Sequence, residues 1–298
     1  MNRKKNLVIS ITLLAATVSA AHAGPSIRLA YAQQCAAQMG KIPAFNCMKG
    51  TIIPITRKGV AQTQPVASCD KPVQLGTPGG PCVPFSRFQR LSTGNPNVET
   101  AVICRKYHAS NGPNDATFHD IAVIQHHKGT GETCFFQSPP DEARNGSNVP
   151  SPQESSANAS HYWLEPIPFF GPGGITCTNC HDADPFVWSP YIAQVADISK
   201  WDPLGKWSSN SHNLFGHTVS TFKPQNNSCA TCHRIGSRTC QVGGAISTHE
   251  YSDQLLMPVG FSGTAKQWHT QFDGPLTMLD LCCFGFAPAS TCGTKDAL

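Results

Sequence analysis

Apolar and polar positions change rhythm several times along the chain. After Arg3, Lys4 and Lys5, an apolar run extends from Leu7 to Val18 and ends at Ala21-His22-Ala23. A charged start, a short apolar run and a small-x-small end form the pattern of a secretory signal peptide, too short for a comfortable membrane span. Residues 1–23 are therefore expected to be removed before Gly24. Residues 24–34 then suggest a short helix, with Ile27, Leu29, Ala30 and Tyr31 as its apolar positions. Thr51 to Thr56 reads as a short strand, which Pro54 confines to a sheet edge. Gly76 to Pro81 is a loop. From Val98 the reading becomes β: Ala101 to Tyr107 is a strand, and Ile121–His127 and Glu132–Gln137 flank a Gly-containing turn as a hairpin. In that hairpin His126 and His127 point to opposite faces.

Residues 138–160 are rich in Pro, Ser, Asn and Gly and poor in apolar side chains, and are expected to be a linker. The domain organisation expected is thus a signal peptide (1–23), a disulfide-rich β-containing domain (24–137), the linker (138–160) and a second domain (161–298). Within the last, Pro190 to Ile198 suggests a helix. The fold class expected is α+β: a disulfide-stapled β-rich N-terminal domain followed by a loop-rich, mainly α domain. No further apolar segment suggests a membrane span.

Composition sharpens this picture at one point, the cysteines. There are 14. Six (Cys35, Cys47, Cys69, Cys82, Cys104, Cys134) lie in the first half and four (Cys240, Cys282, Cys283, Cys292) near the end. Both counts are even, so three disulfides in the first domain and two in the second are expected, formed in an oxidising compartment. Six cysteines allow 15 pairings, so the connectivity stays open. Adjacent Cys282 and Cys283 are expected to take different partners, because a vicinal ring strains its peptide. The formal charge of +4 falls to +1 without the three leader cations, and nothing indicates nucleic-acid binding. A periplasmic or secreted protein is expected.

The remaining four cysteines fall in two stretches of one pattern, Cys177-Thr178-Asn179-Cys180-His181 and Cys229-Ala230-Thr231-Cys232-His233. C-x-x-C pairs also serve as zinc ligands, redox dithiols or disulfide partners. A His directly after the second Cys, twice in a chain with a secretory leader, matches the attachment sequence of c-type haem. On these six residues the second half resembles a dihaem c-type cytochrome, whereas residues 24–150 resemble no known family. The resemblance implies two covalently attached haem c groups, with His181 and His233 as proximal iron ligands. Only residues 182–228 separate the motifs, so both groups are expected to share one compact domain.

The far side of each iron then decides the chemistry. His161 lies 16 residues before Cys177 and His217 lies 12 before Cys229, which makes these two the first choices as second ligands. Met257, followed by Pro258, is the alternative for the second group, although Met is also a routine filler of core gaps. The function expected is electron transfer between redox partner proteins. The alternative is a haem enzyme or gas sensor, peroxidase-like, with one open iron. No nucleophile–base set or nucleotide-binding loop is apparent.

Overall fold

The computed structural model describes residues 27–71, 82–108, 112–165, 177, 181, 185–186, 190–196, 220–222, 235–236, 265–283, 286–293 and 295–296. The leader and the loop at 76–81 lie outside them. Helix α1 (Ile27–Met39) opens the described chain and is followed by a 3-10 turn (Cys47–Lys49). A five-stranded antiparallel sheet follows, with strand order β1 (Thr51–Ile52), β4 (Arg87–Leu91), β5 (Val98–Arg105), β7 (Asp120–His127), β8 (Thr133–Gln137). Two small ribbons flank it, β2 (Thr56–Arg57) with β3 (Val60–Ala61), and β6 (Thr117–Phe118) with β9 (Arg144–Asn145).

The central strands β5 and β7 pair over their full length, with Val102 opposite Val123. Their sequences, such as Ile121-Ala122-Val123-Ile124, are nearly continuous apolar runs because the sheet is covered on both faces. On one face Val98, Val102, Cys104, Ile121, Val123 and Phe136 meet Tyr31, Ala32 and Met39 of α1. On the other, Phe88, Ala101, Ile103 and Ile124 meet Phe186, Tyr191 and Ala196 of the second half, around the short helix α3 (Pro190–Ala193).

Three disulfides staple this unit: Cys35–Cys134, Cys47–Cys104 and Cys69–Cys82. The six first-half cysteines thus pair among themselves, as their even count implied. Near the end Cys282 pairs with Cys292 and Cys283 lies in another disulfide, so the adjacent cysteines do take different partners.

Two expectations need correction here. Residues 138–160 do not behave as a free linker. Val149 bridges Phe45, Ser151 Oγ donates to Ile42 O at 2.6 Å, and Trp163 Nε1 donates to Pro150 O at 3.0 Å. The buried Arg28 guanidinium donates to Pro152 O at 2.6 Å, tying the segment to α1. Helix α2 (Ala157–Tyr162) then seats Ala159 and Tyr162 in the same core. The segment is held by hydrogen bonds to its backbone, which an apolar count does not register.

Nor is the second half simply loops and helices. Alongside α4 (Ala265–Cys283) and α5 (Ala289–Cys292), its described residues form a three-stranded sheet. That sheet is β10 (Ser220–Phe222) between β11 (Ile235–Gly236) and β12 (Lys295–Asp296). The fold is mixed α+β. No helix among the described residues is long and apolar enough to cross a membrane.

Two predictions follow from this packing. A Cβ on Gly146 would lie 2.4 Å from Phe118 Cδ2 and 2.9 Å from Cys47 Cβ, and both neighbours are fully buried. Gly146→Ala is expected to cost about 1–3 kcal/mol in urea unfolding, the range for overpacking a close-packed core. The β2–β3 turn places Lys58 and Gly59 both at positive φ, and Asp70 accepts their N–H groups at 2.7 and 2.8 Å. The Gly59 N–H above all holds the Asp70 carboxyl below its usual range. Its contribution to stability is therefore present above the ordinary carboxylate pKa and lost as pH falls through the lowered value. Asp70→Asn should raise amide exchange at Lys58 and Gly59 at neutral pH and remove its acid dependence.

Candidate functional site

The one C-x-x-C-H stretch that reaches the described residues lies beside the β8 edge of the sheet. Strand β8 is an edge strand, and an edge presents backbone groups that need partners. Two are supplied from far along the chain. Tyr31 Oη accepts the Phe135 N–H at 2.9 Å, and Gln137 O accepts the Leu164 N–H at 2.9 Å. Because side chains alternate across a strand, Cys134 and Phe136 enter the α1 face while Phe135 projects to the other. There the Phe135 ring meets His181, centroids 5.4 Å apart.

His181 is held to Cys177 by a backbone hydrogen bond, His181 N–H to Cys177 O at 2.8 Å. Cys177 is half-buried, unlike the six stapling cysteines, which are 0–3% exposed. Burial pushes the Tyr31 phenol well above its ordinary pKa. The Phe135 N–H opposes this, and a thiolate at nearby Cys177 adds to it. Tyr31, Phe135, Cys177 and His181 therefore form one cluster, drawn from α1, β8 and the second half.

Two polar groups lie elsewhere on the Phe135 face. His126 is buried, with Nδ1 2.8 Å from Thr133 Oγ1 and its ring 6.0 Å from Phe186. His127, on the opposite face, accepts N–H groups of Gly129 and Thr130 at 3.2 and 3.1 Å and so shapes the hairpin turn. At the far end Asp120 accepts from Arg105 (2.6 Å), Tyr107 Oη (2.7 Å) and Gln137 Nε2 (3.0 Å).

Of the residues singled out in the sequence, Cys177 and His181 are brought together. His161 is exposed in the last turn of α2. Cys180, His217, Cys229, Cys232, His233 and Met257 lie outside the described residues. Compared with protein-family models, with curated proteins and with solved structures, the chain matches none.

The dihaem reading is corrected on these findings. Among the described residues no group of three or more His, Cys, Asp or Glu could hold a metal ion. The cysteine pairs seen there are ordinary disulfides. No likeness to a cytochrome supports the motif. The two haem c groups, the iron ligand set, the electron-carrier function, the peroxidase-like or gas-sensing alternative and the redox partner proteins are withdrawn with it. A five-residue spacing is a local property, whereas a cofactor site also needs ligands assembled from the fold.

Sequence reasoning missed Tyr31 and Phe135. Both read as core aromatics, and only the unpaired edge of β8 reveals why a hydroxyl is needed at position 31. Tyr31→Phe removes the acceptor of a buried N–H. It is expected to cost about 1–3 kcal/mol in urea unfolding and to raise amide exchange at Phe135.

Proposed function

We propose that the protein works outside the reducing cytoplasm as a disulfide-stapled β platform carrying a dithiol site, Cys177 and Cys180, with His181 beside it. The observation that carries this reading is the backbone hydrogen bond that ties His181 to Cys177, with the His181 ring against Phe135 at the sheet edge. Cys177-Thr178-Asn179-Cys180 has the C-x-x-C spacing of redox dithiols. Half-burial of Cys177 supports access to a reactant. The paired first-half cysteines and the leader-like residues 1–23 support export.

The chemistry proposed is thiol–disulfide exchange. One thiolate attacks a sulfur of a client disulfide, the client S–S bond breaks, and the departing client sulfur takes a proton. The second thiolate then attacks the mixed disulfide, closing Cys177–Cys180 and releasing the client as a dithiol. Two electrons pass from the site to the client, and the reverse sequence oxidises a client. A protonated His181 would favour the thiolate.

Differential alkylation of the exported, mature protein, read by peptide mass mapping, tests this. Cys177 and Cys180 should pass between disulfide and alkylated forms under mild reductant in the native state, while the six stapling cysteines stay paired. An added mass on the Cys177–Cys180 peptide that survives full reduction would mean that the thiols are already consumed, and overturns the proposal. Resistance to alkylation until the core itself unfolds overturns it equally.

A further inference from the structure

Between β5 and β7 the chain leaves the sheet at Lys106 and returns at His119. The excursion is pinned from inside by Lys106, whose Nζ donates to Asp115 O at 2.8 Å and Thr117 O at 2.5 Å over the Phe118 ring. It is closed at its neck by His119. The His119 N–H donates to Arg105 O at 2.8 Å, and the His119 Nδ1 accepts the Tyr107 N–H at 3.3 Å. The His119 side is buried, and the exposed His108 ring meets it edge-on with centroids 4.7 Å apart.

This geometry ties the neck to one protonation state. Accepting the Tyr107 N–H requires a lone pair on Nδ1, so the proton of the neutral ring sits on Nε2. A second proton can enter only at Nδ1, where it removes the acceptor and sets two N–H donors against each other. The new charge would also face His108 and the Lys106 ammonium. The negative groups in reach are Asp115 on the excursion and Asp141 from the β8–β9 connection. Arg105 and Tyr107 at the same neck are both engaged by Asp120. The pair is ill-suited to a metal ion, since ligation at Nε2 would shift the ring proton to Nδ1 and break the same bond.

We propose that His119 is a proton-operated latch: neutral, it holds the Tyr107 N–H at the neck between β5 and β7, and protonated, it releases it. Burial first, then His108 and Lys106, hold the His119 pKa below its ordinary 6.5. Between 6.5 and the lowered value the open form binds more protons than the closed one. Stability of the latch is therefore full above that window and falls as pH drops through it. In an exported protein this window is one that the surroundings can cross.

Amide exchange measured at several pH values, corrected for intrinsic rates, tests the latch. Protection at Tyr107 should fall about tenfold or more between about pH 7.5 and about pH 5, while Val102 and Val123 in the sheet stay protected. In His119→Gln, whose amide oxygen can still accept the Tyr107 N–H, that fall should vanish. In His108→Ala, which removes a like charge, the midpoint should move to higher pH. Unchanged Tyr107 protection in the natural protein overturns the proposal, as does the same fall persisting in His119→Gln. Direct titration of the His119 ring by NMR gives a check without substitution: its midpoint must lie at the acid end of the pH range over which the Tyr107 protection falls.

Discussion

The structure depends on a covalent clamp across one face of the sheet. Cys35–Cys134 fastens α1 to the edge strand β8, and Cys47–Cys104 fastens the 3-10 turn to the central strand β5. The first link closes 99 residues and the second 57, spans whose closure removes much of the freedom of the unfolded chain. A loop of that length corresponds to a stabilisation of about 4–5 kcal/mol in the chain-entropy account. With α1 fixed, Tyr31 and Met39 fill the sheet face and Arg28 can gather the 150–165 segment onto the same core.

The clamp also decides what happens at the sheet edge. An open strand edge invites pairing with other chains, and here it is closed by a phenol and a backbone N–H from opposite ends of the described first half. The Tyr31 hydroxyl that closes the edge is the group beside Cys177, so edge protection and the candidate thiol site share one residue.

Legibility followed the physical range of each signal. The β7–β8 hairpin was readable because β-branched and aromatic runs around a Gly turn set it locally. The Thr51–Thr56 strand was readable only in part: β1 holds Thr51 and Ile52 at the sheet edge, Pro54 lies beyond it, and Thr56 opens the separate β2 ribbon. The 138–160 segment was misread because its stability lies in hydrogen bonds from Ser151 and Trp163 and in one buried guanidinium. Such contacts leave little trace in a hydrophobic profile. Nor does the sequence profile register that the His126 ring meets Phe186, sixty residues away in the chain.

By itself the sequence determined what rests on neighbouring residues: strand runs, turns, and an even count of cysteines in an oxidising context. It also set the C-x-x-C-H spacing, which is compatible with several chemistries and so could not choose among them. Tertiary structure alone selected one pairing of the six first-half cysteines out of 15 and set Tyr31 against Phe135, 104 residues away. It alone brought His108 and His119 edge to edge. The reason is that torsion and periodicity act over a few residues, whereas bond formation and proton affinity depend on distances that exist only once the chain has closed on itself.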